Sequence, residues 1–156
     1  MARAHRLIAR AARLWWAIRR PRTLGVRALV LDGAERVALV KHTYRSYWYL
    51  PGGGVKKSES FAVALAREVR EEIGLEDVRL ERVLGVYRSA AEGKDDHVVV
   101  FVARTAEPTA AIRAADALEI EAARWFALDA LPEDISPASA RRIGEYRRGE
   151  VGVGDW

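Results

Sequence analysis

The stretch that most constrains this chain is a glycine cluster followed by a helical pattern, LPGGGVKKSESFAVALAREVREEIGL, at residues 50–75. Glycines at 52–54 allow a tight turn and a close backbone approach to a ligand. In the following segment, apolar residues recur every four positions and form one stripe of a predicted helix. They are Phe61, Leu65, Val69 and Ile73. Ser60 suits the start of this helix and Gly74 its end, so the pattern predicts a capped helix over about 61–73.

The same helix crowds three carboxylates onto another face. Glu68, Glu71 and Glu72 stand at i, i+3 and i+4, and residues at this spacing are neighbours on a helix surface. Like charges at this spacing repel, and the repulsion grows when they are buried. A hard divalent cation removes the conflict, since Mg²⁺ binds carboxylate oxygens, water and substrate phosphates. A solvated, Glu-rich helix face is the alternative, and the helix alone does not separate the two.

Strand-like and helical patterns alternate along the rest of the chain. Runs of β-branched and aliphatic residues predict strands, and a later segment predicts a final helix. The predicted strands lie within 23–33, 35–44, 78–89, 97–105 and 121–132, and the final helix lies over about 137–148. A polar turn is expected at 90–96 and a loop at 105–118, whereas 151–156 has little signal. This order in 156 residues predicts one domain with helices and a sheet in layers.

Charge separates the N-terminal segment from the rest of the chain. Residues 1–23 contain seven arginines and no acid, whereas the whole chain has a formal net charge of +4. The high pI therefore comes from this segment, and no specific nucleic-acid partner is predicted. The chain has no cysteine, which excludes thiolate metal sites and fits a cytoplasmic location. No apolar run is long enough to span a membrane, and the N-terminus lacks a signal-peptide pattern.

Residues 3–20 have the periodicity of an amphipathic helix, with Leu and Trp on one side and Arg on the other. We therefore divide the chain into a basic N-terminal helix, 1–22, and a domain, 23–156. Packing of the apolar side on the domain or on a second copy is the favoured role, and the latter would make a homodimer. Contact with an anionic membrane surface is less favoured, and contact with nucleic acid or polyphosphate is a further alternative.

The stretch at 50–75 resembles the signature of the Nudix hydrolase family. That signature is glycine, five residues, Glu, seven residues, Arg-Glu, an aliphatic residue, any residue, Glu-Glu, any residue, Gly and an aliphatic residue. Every fixed position is matched, by Gly53, Glu59, Arg67, Glu68, Val69, Glu71, Glu72, Gly74 and Leu75. The resemblance implies the Nudix fold, an α/β/α sandwich with a mixed β-sheet, to which the N-terminal helix would be an addition.

The resemblance also implies roles for the residues of the signature. The implied metal ligands are the carboxylates of Glu68, Glu71 and Glu72 and the carbonyl of Gly52. Arg67 is implied to pair with Glu59, which would hold the glycine loop against the helix and orient the neighbouring glutamates during catalysis.

A further acid is expected from outside the signature. In the family, a glutamate on a later loop often binds metal or orients water, and it can lie six residues before a Trp that opens the last strand. Glu119 stands six residues before Trp125, so it is the first candidate. Glu121 is the second, and Asp95 and Asp96 are weaker because a turn accounts for both.

The implied reaction is metal-dependent hydrolysis of the phosphoanhydride bond in a nucleoside diphosphate-linked compound, with Mg²⁺ or Mn²⁺ as cofactor. Either Glu71 or Glu119 is the expected general base. Nucleoside triphosphates and nucleotide sugars both stay open as substrates, since the marks of the ADP-ribose, diadenosine polyphosphate and coenzyme A subfamilies are missing. A non-catalytic module that binds a nucleotide or an RNA end is the alternative, but the complete set of carboxylates favours the enzyme.

Candidate substrate contacts precede the glycine cluster or lie in it. An arginine could grip a phosphate, and an aromatic ring could stack on a base. The candidates are Arg27 on the first strand, His42, Tyr44, Arg45, Tyr47 and Tyr49 before the glycine cluster, and Gly53 in the cluster. Trp48 and Leu50 are assigned to core packing instead.

Overall fold

The computed structural model describes residues 23–89, 96–107 and 109–156. The predicted N-terminal helix at 1–22 lies outside these residues, as does most of the predicted turn at 90–96, including Asp95. The proposed division at residue 22 therefore stays a prediction. Neither helix in the described part of the chain is long and apolar enough to cross a membrane.

Within the described residues, seven strands form one mixed sheet. They are β1 (Leu24–Leu31), β2 (Arg36–His42), β3 (Trp48–Tyr49), β4 (Val78–Ser89), β5 (Asp96–Thr105), β6 (Ile120–Ala127) and β7 (Gly152–Asp155). The order is β3-β2-β1-β5-β4-β7, and β6 lies outside this order and pairs with β2. β1 runs parallel to β5 and β4 parallel to β7, whereas the other pairs are antiparallel.

Two helices cover opposite faces of the sheet, α1 (Phe61–Ile73) and α2 (Pro137–Arg148). Successive side chains of a strand point to opposite faces. Accordingly, Val26 and Ala28 of β1 pack in the core beneath α1, while Leu29 packs in the core that contains Ile143 of α2. The predicted α/β/α sandwich with a mixed sheet is confirmed.

The ends of α1 follow the predicted capping pattern. The hydroxyl of Ser60 accepts a hydrogen bond from the Val63 N–H at 3.3 Å, and Gly74 adopts the left-handed conformation with φ 73°. The predicted apolar stripe buries Leu65, Val69 and Ile73, and each such side chain contributes roughly 1.5–3 kcal/mol. Phe61, in the first turn, stays 37% exposed.

The glycine cluster lies within the sheet rather than above it. β1 and β2 pair at only one end, through Leu31 and Val37. Nearer the start of β1, the Val26 N–H donates to the Gly53 carbonyl at 2.9 Å instead. At Gly52, φ is +138°, and a Cβ would lie 2.2 Å from the Val26 carbonyl oxygen. Only glycine fits there, and the loop carries the cluster to the N-terminal half of β1.

The C-terminal tail, which had little sequence signal, forms β7 along β4. A group that we call the C-terminal arginine cluster lies beside it, in which Tyr87 and Arg142 are buried and Glu145 and Trp156 are half-buried. The Arg142 guanidinium lies 3.7 Å from the Tyr87 ring centroid, and the Tyr87 ring lies 6.1 Å from that of Trp156. Space for the Tyr87 hydroxyl exists because Gly85 and Gly152 have no side chains, since a Cβ would lie 2.3 Å and 1.9 Å from it.

Candidate active site

Glu72 is the most buried carboxylate of α1, with only 8% of the residue exposed. Its Oε2 accepts a hydrogen bond from the Gly52 N–H at 2.7 Å, and its Oε1 lies 3.8 Å from Nε2 of His42. Burial raises the pKa of Glu72 to about 7, and the nearby Glu68 and Glu119 add to the rise. Arg27 and the Gly52 N–H oppose it. The fold thus holds a carboxylate where its charge is poorly compensated.

Arg67 links the other carboxylates to the glycine loop. Its Nε and Nη2 donate to the two oxygens of Glu59 at 2.8 and 3.0 Å, and Nη2 also donates to the Gly54 carbonyl. Its Nη1 donates to Glu68 at 2.7 Å and to Glu71 at 3.2 Å. The hydrogen bonds from Arg67 lower the pKa of Glu59 to about 2. The Arg67 guanidinium therefore links the glycine loop and Glu59 to Glu68 and Glu71 of α1.

Glu119 reaches the same place from another element. It lies in the turn immediately before β6, where its carbonyl accepts from the Thr43 N–H at 2.9 Å. A cavity of about 620 Å³ is lined by Glu119 together with Glu68, Glu71 and Glu72, and we call these four residues the acidic site. Among the described residues, neither Glu121 nor Asp96 lines this cavity. The role of Glu119 as a metal ligand stays a prediction.

Sequence reasoning missed Asp116, which also lines the cavity. Its side chain accepts from the Leu118 N–H at 3.0 Å, and its carbonyl accepts from the N–H groups of Glu119 and Ile120. Asp116 therefore builds the turn that presents Glu119. Its sequence signal is a single acid in an irregular loop, which is typical of an ordinary turn.

The acidic site has the donors that a hard cation needs. Four carboxylates surround one cavity, and oxygen ligands are those preferred by Mg²⁺ and Mn²⁺. Loop and helix lie so close that a Cβ on Gly53 would be 2.6 Å from Oε1 of Glu68. Within the described ranges, no three His, Asp or Glu side chains are gathered closely enough to hold a metal ion, and Arg67 hydrogen bonds to both Glu68 and Glu71. Gly52 contacts Glu72 through its N–H, and a role for its carbonyl stays a prediction.

The predicted substrate contacts lie around the end of β2. The His42 ring is buried, with the Tyr44 and Tyr49 ring centroids at 5.3 and 5.9 Å. The Arg45 guanidinium lies 5.8 and 5.5 Å from the same two tyrosine rings. We call His42, Tyr44, Arg45 and Tyr49, together with Arg27, the aromatic–arginine wall. Tyr47 is 47% exposed, whereas Trp48 and Leu50 are buried in the core as predicted.

Comparison with known proteins identifies the fold. A family model described as the NUDIX domain matches residues 21–145, which is most of the chain. The chain belongs to the Nudix family. The predicted membership among Nudix pyrophosphohydrolases, made from the signature at 53–75, is thereby confirmed, and Nudix hydrolases generally use divalent metal ions.

Several Nudix proteins are similar to this chain. A putative 8-oxo-dGTP diphosphatase of Bacillus subtilis (strain 168) is 29% identical over 131 residues, 84% of each chain. The 8-oxo-dGDP phosphatase of Homo sapiens is 36% identical over 114 residues, which are 69% of this chain but 33% of the human protein. The crystal structure of a MutT NUDIX hydrolase from Burkholderia pseudomallei is 32% identical, with a TM-score of 0.60 over 78% of this chain and 95% of that one.

A NUDIX hydrolase from Nitrosomonas europaea shares the fold, with a TM-score of 0.72 at 20% identity over 86% of this chain and 78% of that one.

Proposed function

We propose that this Nudix enzyme hydrolyses the phosphoanhydride bond of nucleoside diphosphate-linked compounds, with Mg²⁺ or Mn²⁺ as cofactor. The observation that carries the proposal is the acidic site, in which a buried Glu72 shares one cavity with three further carboxylates. Acids placed this way repel one another unless a cation joins them. Similarity to proteins named 8-oxo-dGTP diphosphatase and 8-oxo-dGDP phosphatase supports a nucleotide substrate.

The residues that would hold the metal are Glu68, Glu71, Glu72 and Glu119 with the Gly52 carbonyl. When bound, divalent ions offset the charge on phosphate oxygens and lower the pKa of coordinated water. Arg67 is a positioning residue, because its contacts with Glu59 and the Gly54 carbonyl fix where Glu68 and Glu71 lie. Because Gly53 has no side chain, the loop backbone can lie directly against the Glu68 carboxylate.

The proton of the attacking water requires a base that reaches the cavity. Glu71 and Glu119 both line it, and the Glu71 side chain is 47% exposed. Glu72 is a poorer candidate, because its carboxylate is turned toward the Gly52 N–H. We assign the general base to Glu71 or Glu119, and each is close enough to water to pass the proton on.

A nucleotide panel tests the proposal. The protein is incubated with nucleoside triphosphates, nucleotide sugars and Mg²⁺ or Mn²⁺, and release of phosphate, pyrophosphate or nucleoside monophosphate is measured. Glu71→Gln and Glu72→Gln are expected to lower kcat by roughly a thousandfold, the scale of losing a metal or base contribution. Glu133→Gln, an exposed loop variant, is the matched control.

Two outcomes would contradict the proposal. Hydrolysis that survives both substitutions would show that the acidic site does not carry the reaction. Metal-dependent nucleotide binding by the wild-type protein with no hydrolysis of any compound would favour the non-catalytic module instead.

A further inference from the structure

One guanidinium nitrogen near the acidic site lacks a hydrogen bond. Arg27 lies on β1, and its Nη1 is buried with no hydrogen bond among the described residues. Nδ1 of His42, in the same wall, is also buried without a hydrogen bond there. A guanidinium presents five N–H donors, and leaving one buried and unmatched is unfavourable. These atoms without hydrogen bonds indicate that a group from outside the described residues, such as a ligand, hydrogen bonds to them.

The neighbouring carboxylates do not hydrogen bond to these atoms. Burial lowers the pKa of Arg27, although the charges of Glu72 and Glu68 oppose this. Glu72 hydrogen bonds to the Gly52 N–H, and Glu68 to Arg67. Oε2 of Glu72 and Oε1 of Glu68 therefore each have a donor other than Arg27.

A second guanidinium adds positive charge to the same wall. Arg45 lies over the Tyr44 and Tyr49 rings, and its charge lowers the pKa of both Arg27 and His42. Burial is the main reason that the pKa of His42 falls to about 4, so this imidazole is neutral near pH 7. The wall thus presents two permanent cations and a neutral imidazole, and it adjoins the acidic site where Nε2 of His42 lies 3.8 Å from Oε1 of Glu72. An anion with several charged groups would contact metal ions on one side and the wall on the other.

We propose that Arg27 binds the third phosphate of a nucleoside triphosphate, and that it makes the enzyme prefer triphosphates to nucleoside diphosphates and nucleotide sugars. This inference rests on the proposed function, in which the acidic site holds the two phosphates that flank the scissile bond. A triphosphate carries a further charged group, whereas a diphosphate lacks it and a nucleotide sugar has a neutral group there. The planar fork of arginine matches phosphate oxygens in pairs, which a lysine does not.

Binding of a matched ligand pair tests the inference without turnover. The probes are the α,β-methylene analogues of GTP and GDP, which differ by one phosphate and resist cleavage between the first two phosphates. Dissociation constants are measured by calorimetry with Mg²⁺. The wild type is expected to bind the triphosphate analogue at least about tenfold more tightly, the scale of a hydrogen bond to a charged group. Arg27→Gln is expected to reduce this preference to within about threefold.

Two further variants keep the test decisive. Arg27→Lys retains the charge but not the fork, and its preference is expected to lie between those of the wild type and Arg27→Gln. Arg79→Gln, at an exposed position of β4, is the matched control and should keep the full preference. If Arg27→Gln fails to fold by thermal unfolding, the reduced preference of Arg27→Lys decides the question.

The inference is overturned if the wild type binds both analogues equally or binds neither. It is also overturned if Arg27→Gln weakens both to the same extent, which would make Arg27 a general structural cation. Preference that depends on Arg27 without hydrolysis of any nucleotide would refute the proposed function alone. Hydrolysis with a preference that ignores Arg27 would refute this inference alone.

Discussion

Two regions of this molecule bury arginines beside carboxylates, and they differ in how the charges are matched. In the C-terminal arginine cluster, Glu145 accepts from the Tyr87 hydroxyl at 2.6 Å and from Nη2 of Arg142 at 2.8 Å. Nη1 of Arg142 donates to the Asp155 carbonyl, and only its Nε has no hydrogen bond among the described residues. In the active site, by contrast, Glu72 has one close hydrogen bond, and Nη1 of Arg27 has none.

The difference separates two uses of a buried charge. Charges that are matched within the chain stabilise one arrangement of the fold. Removal of one partner leaves the other charge uncompensated in a low-dielectric interior. Charges left unmatched reduce stability, and a ligand that matches them recovers the lost energy as binding. We therefore expect substitutions in the two regions to have effects of opposite sign on stability.

The largest effect is expected for Arg142→Met. This change leaves Glu145 largely buried without its cation and removes the contact with the Tyr87 ring, so the free energy of unfolding should fall by about 3 kcal/mol. Urea unfolding measures it, with Arg147→Met on the exposed side of α2 as the control. The kcat of the folded fraction should stay unchanged. If the free energy of unfolding falls by less than about 1 kcal/mol, the matched charges of the C-terminal arginine cluster do not stabilise the fold as we expect.

The opposite sign is expected for Glu72→Gln without metal. Because the folded pKa of about 7 lies above the unfolded value of 4.5, the folded state holds the proton more tightly. Stability therefore falls as the pH rises from 4.5 through 7, by up to about 3 kcal/mol at pH 8. The uncharged amide avoids this loss, so the variant should be more stable than the wild type at pH 8 and equal to it near pH 4.

Urea unfolding at both pH values measures the difference, and calorimetry with Mn²⁺ should show weaker metal uptake by Glu72→Gln. A variant that is less stable at pH 8 would mean that Glu72 serves the fold rather than a ligand.

A smaller effect is expected for Gly53→Ala. The added Cβ would lie 2.6 Å from the Glu68 carboxylate, which is too close for both to stay in place. The carboxylate would move, because it is the flexible end of its side chain. We expect Mn²⁺ affinity to fall by roughly tenfold, as for other changes that shift a metal ligand, with the melting temperature nearly unchanged. Gly54→Ala is the control, since a Cβ there meets no atom within 4 Å. Equal losses in the two variants would contradict the close approach.

The smallest effect concerns Glu59. Its folded pKa of about 2 lies below its ordinary value of 4.5, because Arg67 hydrogen bonds to the ionised form. The stability that this pair contributes is therefore present above pH 4.5 and is lost as the pH falls toward 2. Acid titration of the wild type and Glu59→Gln should show the difference between them shrinking over this range. A constant difference would mean that the carboxylate contributes through packing alone.

The sequence predicted those parts of the fold that depend on local signals. The bounds of α1 followed from its apolar spacing and from Ser60 and Gly74, and α2 lies where its pattern placed it. Two short strands were missed. β3 has two residues, and β7 has two glycines and an aspartate among its four residues, which are types depleted in strands. β7 forms because β4 and the C-terminal arginine cluster hold the tail, which are contacts distant in sequence.

The candidate site divides in the same way. Helical spacing predicted that Glu68, Glu71 and Glu72 share a face, but not their environments, since the Glu71 side chain is 47% exposed and that of Glu72 is 11%. The unmatched atoms of Arg27 and His42 depend on what every neighbour already binds. No spacing rule contains that information. The sequence could therefore predict the residues of the wall but not that Nη1 of Arg27 and Nδ1 of His42 lack hydrogen bonds.

The packing of Tyr87 against Gly85 and Gly152 has a consequence for how this chain can diverge. Any side chain at either glycine would collide with the tyrosine hydroxyl, whereas loss of the hydroxyl would remove one of the two hydrogen-bond donors to Glu145. At Gly152 the tyrosine alone excludes a side chain, whereas at Gly85 the Gly152 carbonyl oxygen, also 2.3 Å from a Cβ, would exclude one even after the tyrosine is lost. Lineages that keep the tyrosine should keep both glycines, although the glycines lie 67 residues apart.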